Sequence, residues 1–257
     1  MQINAEKIVR AAILALLLFA LVCGVLPPLF RRMESGTGAL PSASGAVRVR
    51  SLDDNTDALC WRLRHIETAQ EDIVLSTFAF LDDESGQDIM AALYHAAARG
   101  VRVRILVDGL DGQQHLPDSA AFQALLSCET AEARFYNPLS IRLWQINYRM
   151  HDKYLIADDT AYILGGRNTK DLSLAAGGNL DRDVLVCEGG ADEPGTLAQL
   201  RHILRRFGRF RCANRRAAPA ARRNRMCLRH AMKRCRCDSQ RCLRRWIGWR
   251  RPCPATA

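Results

Sequence analysis

The sequence predicts an α/β fold because a strand–helix–strand unit is followed by several short strands. Residues 73–80 form an apolar, β-rich run, and residues 101–108 alternate apolar and polar side chains as a strand does. Between them a helix opens at Ser85 and closes at Gly100, where a left-handed cap is expected. Two strands joined in this way should lie parallel in a sheet that helices cover.

Further elements extend this unit on both sides. Apolar residues at helical spacing predict a helix over residues 53–70, with Asp53 or Asn55 as its N-cap. Another helix is predicted at residues 119–127. Short strands are predicted at residues 133–136, 153–157, 162–164 and 183–187.

The N-terminus carries an uncharged apolar stretch, residues 11–30, which is long enough for a helix across a ~30 Å hydrocarbon core. A cleaved signal peptide is the rival interpretation, although its apolar region is usually shorter. Lys7 and Arg10 precede the stretch and Arg31 and Arg32 follow it, so the charges leave the sidedness of a membrane anchor open.

The charge of the chain is divided near residue 200. The formal net charge of +10 combines a body at −8 with a tail, residues 201–257, at +18. The sequence therefore predicts an anchor at residues 1–33, a Gly- and Pro-containing linker at 34–46, a globular domain at 47–200 and a disordered or out-of-frame Arg/Cys-rich tail at 201–257. Because the body is acidic, nucleic acid is the less favoured partner.

The most informative pattern is His151-x-Lys153-x4-Asp158. On a strand His151 and Lys153 share one face, whereas Asp158 has the opposite parity and need not point into the same site. An imidazole next to an ammonium suits a phosphodiester, because the imidazole can attack phosphorus while the cation neutralises the non-bridging oxygens.

Residues downstream of the motif extend this hypothesis. Gly165 and Gly166 remove side chains where backbone N–H groups could approach a phosphate, and the Asn168 amide can donate to the same oxygens. Asp181 and Asp183 share a strand face, and either could accept a hydrogen bond from His151 and hold its tautomer.

Each of these residues also has an ordinary structural interpretation. A lone His, Lys or Asp is commonly a surface or satisfied group, and a glycine pair is commonly a turn. A structural ion pair is favoured over a substrate contact for Arg167. The combination favours phosphate chemistry, whereas the parts alone do not. No metal site or cofactor is expected.

The motif resembles the signature of the phospholipase D superfamily, and Gly165-Gly166-Arg167-Asn168 resembles the segment that follows it in bacterial cardiolipin synthase-like proteins. The similarity covers about residues 46–190. It implies an α-β-α sandwich with a mixed, largely parallel sheet and helices on both faces.

The resemblance also implies metal-independent phosphatidyl transfer or hydrolysis of a phosphatidylglycerol-like phospholipid. By analogy His151 is the nucleophile that forms a phosphohistidine, Lys153 and Asn168 bind phosphate, and Asp158 supports the motif. A membrane-anchored enzyme, in the bacterial cell membrane, fits such a substrate.

The sequence departs from this family in one respect, because family synthases carry two copies of the motif and here a second His-x-Lys pair is absent. A homodimer that completes the active site is one explanation, and a truncated half enzyme is another. The alternatives for function are a single-motif dimeric nuclease, or an inactive half-domain with a basic tail that binds nucleic acid or lipid.

Overall fold

The computed structural model describes residues 5–30, 47–140, 145–158, 160–188, 196–197, 200–201 and 212–215. The chain divides into two compact units, one of residues 1–40 and 139–149, the other of residues 41–138 and 150–257. The predicted linker lies outside the described residues, as does most of the predicted tail. The predicted domain division therefore stays a prediction.

The first unit is built on helix α1, Ala5–Phe30. Its segment Ala5–Gly24 has a mean hydropathy of 2.2 and is long and apolar enough to cross a membrane. Within this unit the Asn147 side chain donates a hydrogen bond to the carbonyl of Cys23 at 3.0 Å. The apolar helix predicted from the sequence is confirmed, and its length and composition fit both a membrane anchor and a signal peptide.

The second unit alternates strands with helices in the order that the sequence predicts. The strands are β1 Val47–Leu52, β2 Asp72–Thr77, β3 Arg102–Asp108, β4 Ala131–Tyr136, β5 Tyr154–Ala157, β6 Ala161–Gly165, β7 Asp183–Glu188 and β8 Cys212–Arg215. The helices are α2 Asn55–Thr68, α3 Glu84–Ala98, α4 Gly109–His115, α5 Ala120–Leu126 and α6 Asp171–Leu174. Strands β1 and β8 and helices α4 and α6 were not among the predicted elements.

The eight strands form one mixed sheet in the order β1-β7-β6-β5-β2-β3-β4-β8. The pairs β2–β3 and β3–β4 are parallel, as the strand–helix–strand unit predicts. The other described pairs are antiparallel, so the expectation of a largely parallel sheet is wrong. One reason is that β5 ends at Ala157 and β6 begins at Ala161, and so short a connection permits only antiparallel pairing.

Apolar side chains alternate along the strands and form a core on each face of the sheet. On one face Ile73 and Leu75 of β2 belong to a large buried cluster to which α2, α3 and α5 contribute. On the other face Val74 packs in a smaller cluster with Leu197 and Leu200, which lie among the helical residues 196–197 and 200–201. The predicted α/β fold with helical residues on both faces is confirmed.

Helix ends follow the residues that can cap them. The N-cap of α2 is Asp54, whose side chain accepts from the Asp57 backbone N–H at 2.9 Å, and not Asp53 or Asn55 as expected. Asp53 is instead engaged by Ser51, while Asn55 is the first helical residue. At the end of α3, Gly100 has a φ of 93°, which confirms the predicted left-handed position.

Asp72 links the start of β2 to the neighbouring strand and to the segment near residue 200. Its carboxylate accepts from Arg104 at 2.7 Å and from Arg201 at 2.6 Å. Burial alone would raise the pKa of Asp72, but the hydrogen bonds and charges of the two arginines outweigh it and lower the pKa below 3.8. Residue 201 is therefore held against the sheet by an ion pair.

Replacing Asp72 by Asn should destabilise the fold in a pH-dependent way. Above pH 4 the variant loses charge-assisted hydrogen bonds, so its free energy of unfolding should fall by about 2 kcal/mol. Folding lowers the pKa of Asp72, so its carboxylate stabilises the fold fully at pH values above the pKa of the unfolded state. This stabilisation is lost as the pH falls through the pKa of the folded state. Urea unfolding at pH 7 and pH 3 measures both effects. The exposed Asp118→Asn change is the control, and an equal stability difference at the two pH values would contradict the expectation.

Candidate active site

The candidate site lies at the sheet edge where β2 and β3 end. Strand β5 is antiparallel to β2 with Tyr154 opposite Ser76, so residues just before β5 lie beside residues just after β2. Strand β6 pairs with β5 with Leu164 opposite Tyr154, which brings the residues after β6 to the same edge. The topology thereby gathers residues 151–153 and 165–168 at the carboxyl ends of two parallel strands, a usual location for ligand sites in α/β folds.

His151 is exposed and precedes β5, whose first residue is Tyr154 and not Lys153 as predicted. The backbone just before it is fixed, because the Met150 N–H donates to the carboxylate of Asp108 at 3.0 Å. Its imidazole lies against the ring of Phe78, with 5.1 Å between ring centroids and a 58° tilt. The backbone hydrogen bond of Met150 and the contact with the Phe78 ring thus both restrict the position of His151, the candidate nucleophile.

Lys153 is only 6% exposed. Its Nζ donates to the carbonyl of His151 at 2.6 Å and lies 5.9 Å from the centroid of the Phe78 ring. Burial lowers the pKa of Lys153, an effect that the charges of Asp152 and Asp181 partly offset. No carboxylate of the described residues lies within ion-pair distance of this ammonium, so its charge is available to an anion.

Asn168 is half-buried at the same edge. Its Oδ1 accepts a hydrogen bond from the Ala79 backbone N–H at 3.1 Å, which fixes the amide plane next to the end of β2. An asparagine amide that accepts through oxygen keeps its two N–H donors for other groups. This orientation is compatible with the predicted donation to a phosphate.

Gly165 and Gly166 have a role different from the predicted one. The Gly165 N–H points to the Lys153 carbonyl and the Gly166 N–H to the Arg182 carbonyl, so backbone oxygens take both donors that were expected to bind phosphate. A Cβ on Gly165 would lie 1.9 Å from a carboxylate oxygen of Asp183, and one on Gly166 would lie 2.1 Å from a carboxylate oxygen of Asp181. The glycines therefore make room for two carboxylates.

Asp183 is 1% exposed and forms a buried ion-pair cluster. Its Oδ2 accepts from Arg62 at 2.9 Å and from Arg167 at 3.1 Å, and its Oδ1 accepts from the Arg167 backbone N–H at 3.3 Å. These bonds commit the carboxylate to two guanidinium groups, so the structure does not bring Asp183 to His151 as the sequence suggested.

Arg167 is likewise a structural residue, as the sequence favoured. It is 2% exposed, and its side chain also donates to the Asn55 side chain and to the carbonyls of Leu52, Asp53 and Asp181. All three guanidinium nitrogens are used within the protein, so none is left for a substrate phosphate.

Asp181 also serves the local backbone and not the imidazole. Its Oδ1 accepts from the Arg182 N–H at 2.8 Å, and its carbonyl accepts from Arg167. Its contribution to the site is electrostatic, because its charge partly restores the pKa of Lys153.

Asp158 lies at the far end of β5 from His151 and Lys153. It has a φ of 52°, and its carboxylate accepts from three consecutive backbone N–H groups, those of residues 70–72, at 2.8 to 3.1 Å for the best contacts. Burial alone would raise the pKa of Asp158, but these hydrogen bonds outweigh burial and lower the pKa below 3.8. Its position is that of a loop anchor, and the structure does not place it beside the other two motif residues.

Two residues at the site were not predicted from the sequence. Phe78 contacts both motif side chains, and Asp108, which is fully buried, holds the residue before His151 while capping α4 through the Leu110 N–H. Asp108 ends the predicted strand at residues 101–108, whereas Phe78 lies inside the predicted run at residues 73–80 and follows the observed end of β2. A position near the carboxyl end of a strand is the available sequence signal. The described residues contain no group of three or more potential metal ligands.

The ion-pair cluster predicts a large difference between two neighbouring substitutions. Asp183→Asn leaves two buried arginines without their anion and should lower the free energy of unfolding by about 3–5 kcal/mol. Arg182→Ala removes only an exposed ion pair with Asp53 and should change stability little. Thermal unfolding of both variants measures the contrast. A similar loss in the two would show that Asp183 is not the structural anchor.

Comparison with known proteins places this geometry in a family. The family described as cardiolipin synthase, PLD-like domain, matches residues 63–190. Cardiolipin synthase C of Escherichia coli (strain K12) is 35% identical over 141 residues, 49% of this chain and 28% of the relative. Cardiolipin synthase B of Salmonella typhi is 39% identical over 107 residues, 40% of this chain and 25% of the relative. The matched segment thus spans about a quarter of the length of these relatives.

One solved structure shows the same fold. NucT from Helicobacter pylori superimposes with a TM-score of 0.50 at 18% identity, covering 66% of this chain and 100% of that chain. The family match, the relatives and the edge that carries His151 and Lys153 agree with one another. The chain belongs to the phospholipase D superfamily.

Proposed function

We propose that this chain is a phospholipase D-type phosphatidyltransferase or phosphodiesterase that acts on phospholipid through a phosphohistidine at His151. One observation carries the proposal: the buried ammonium of Lys153 donates to the backbone carbonyl of the exposed His151, and both side chains lie against the ring of Phe78. A desolvated cation attracts an anionic phosphodiester strongly and holds phosphorus next to the nucleophile.

The residues at the edge divide the chemistry between them. A ring nitrogen of neutral His151 attacks phosphorus, the N–P bond forms, and the P–O bond to the leaving alcohol breaks. Lys153 and the Nδ2 donors of Asn168 stabilise the negative charge that builds up on the non-bridging oxygens. Water or an acceptor alcohol then attacks phosphorus, the N–P bond breaks, and His151 is released. Asp158 supports this cycle by anchoring the end of β5.

A phospholipid of the phosphatidylglycerol type is the proposed substrate. The support is the match to the cardiolipin synthase domain, together with helix α1, which would anchor the chain as a single span in the bacterial cell membrane. Hydrolysis uses water as acceptor. With a second phosphatidylglycerol as acceptor, the products are cardiolipin and glycerol.

The leaving alkoxide requires a proton, and we propose that a second chain supplies the acid in a homodimer. Apart from His151, three histidines lie in the described residues, and they have other contacts. His65 bonds the Ala161 carbonyl at 3.1 Å, His115 bonds the Asp111 carbonyl at 2.9 Å, and the His95 ring lies 6.2 Å from the ring of Tyr94. A His151 from a partner across a two-fold axis would serve as acid in the first step and as base in the second.

Detergent-solubilised protein incubated with phosphatidylglycerol should produce phosphatidic acid or cardiolipin. His151→Ala should lower that rate by about 10³-fold or more, because the nucleophile is lost. Thin-layer chromatography or mass spectrometry of the lipids measures the products. His115→Ala, at an exposed histidine outside the site, should retain the rate.

A parallel incubation with DNA, in the presence of a metal chelator, distinguishes the metal-independent nuclease alternative from the lipid reaction. Cleavage of DNA that depends on His151, with phosphatidylglycerol left intact, would overturn the proposed substrate. Products that survive His151→Ala would overturn the proposed nucleophile.

The proposed role of Lys153 predicts a specific pH dependence. Since burial lowers its pKa from 10.5, the ammonium and the activity should be lost as the pH rises through that lowered value. In a plot of kcat/KM against pH, the activity should therefore decline on the alkaline side, in a basic limb whose midpoint lies below pH 10.5. Lys153→Arg keeps its charge throughout, so any residual activity should lack this limb. An unchanged limb in the arginine variant would assign it to another group.

A further inference from the structure

We propose that Phe78 is the positioning residue of the site, and that its ring holds the His151 imidazole and the Lys153 ammonium in one arrangement. The inference rests on the proposed function, because positioning matters only if these two groups react with a phosphodiester. It assigns to an aromatic ring the orienting task that the sequence suggested for Asp181 or Asp183.

The backbone that carries Phe78 is fixed on both sides. Thr77 and Ala79 are buried, and the Thr77 hydroxyl donates to the Ala79 carbonyl at 2.9 Å. The Ala79 N–H is bound by Asn168 at 3.1 Å. Phe78, which is half-buried between them, therefore presents its ring to the sheet edge from a rigid base.

The ring contacts both reacting groups at distances where aromatic interactions are favourable. Its centroid is 5.1 Å from that of His151, within the ~4.5–7 Å typical of ring pairs. Its centroid is 5.9 Å from Lys153 Nζ, within the ~6 Å reach of a cation–π interaction. The ammonium thus lies within reach of both a π-system and the His151 carbonyl, the latter 2.6 Å away.

An aromatic neighbour has a chemical advantage over a carboxylate here. A carboxylate at this position would pair with the ammonium and compete with the substrate for it, whereas the ring attracts the cation without neutralising it. The ring also leaves both imidazole nitrogens available, one for phosphorus and one for proton exchange. Positioning by Phe78 therefore keeps the site ready for an anion.

The first test reads the lysine directly and needs no substrate. The chain has four lysines, Lys7, Lys153, Lys170 and Lys233, so ¹³Cε-lysine NMR of the full-length protein gives few signals, and Lys153→Arg identifies the relevant one. Phe78→Leu removes the π-face that favours the ammonium. The titration midpoint of Lys153 should then fall by about half a pH unit.

Two further variants separate the ring's electrostatics from its packing. Pentafluorophenylalanine at position 78 keeps the shape of the ring but reverses the sign of its face, and it should lower the midpoint at least as much as leucine. Phe122→Leu alters a buried ring that packs between Phe80 and Phe135, and it should leave the midpoint unchanged. If Phe78→Leu does not fold, the fluorinated variant decides.

The second test is kinetic. In Phe78→Leu kcat should fall about tenfold with little change in KM, because substrate still binds while the nucleophile is misplaced. Phe78→Tyr keeps the ring and should restore the rate.

A Lys153 midpoint that is the same in the wild type and the fluorinated variant would overturn the positioning role. If the wild type shows no turnover but the Lys153 midpoint differs between the wild type and the fluorinated variant, the proposed function is overturned and the contact between Phe78 and Lys153 stands.

Discussion

The buried carboxylate of Asp183, held by Arg62 and Arg167, is the interaction on which the geometry of the site depends. Removing one member of such a cluster leaves a charge in a low-dielectric interior, so the three residues keep a single arrangement. Arg167 extends this arrangement to the carbonyls that precede α2. These contacts hold the turn after β6 in place. Asn168, which directly follows Arg167, therefore has a fixed position at the sheet edge.

The parts of the fold that depend on local sequence were predictable. Apolar periodicity and the glycine after α3 indicated the strand–helix–strand unit, because these signals act over a few residues. The pairing of His151 with Lys153 was also predictable, since two residues of spacing keep them close in any extended segment. Two residues of the site were missed. Phe78 lies in an apolar run, where an aromatic residue is ordinarily interpreted as core, and the carboxylate of Asp108 meets the Met150 N–H across 42 positions of the chain.

The partners of the carboxylates could not be predicted, because pairings across the chain decide them. Asp183 meets Arg62 across 121 positions, and Asp158 meets the backbone near Gln70 across 88. The position of a carboxylate along a strand predicts which face of the sheet it lies on, but it does not predict which donor it pairs with. The same limit explains why Gly165 was interpreted as a phosphate-binding position: the sequence showed a missing side chain but not what fills the space.

The close approach of Gly165 to β7 limits how both positions can vary in evolution. A Cβ at 165 would lie 1.9 Å from a carboxylate oxygen of Asp183 and 2.6 Å from backbone atoms of residues 182 and 183, so a shorter residue at 183 would not by itself make room for alanine. A shorter residue at 183 would also leave the guanidinium groups of Arg62 and Arg167 without their anion. We therefore expect glycine to be retained at 165 wherever β6 and β7 pair in this register, whatever residue stands at 183.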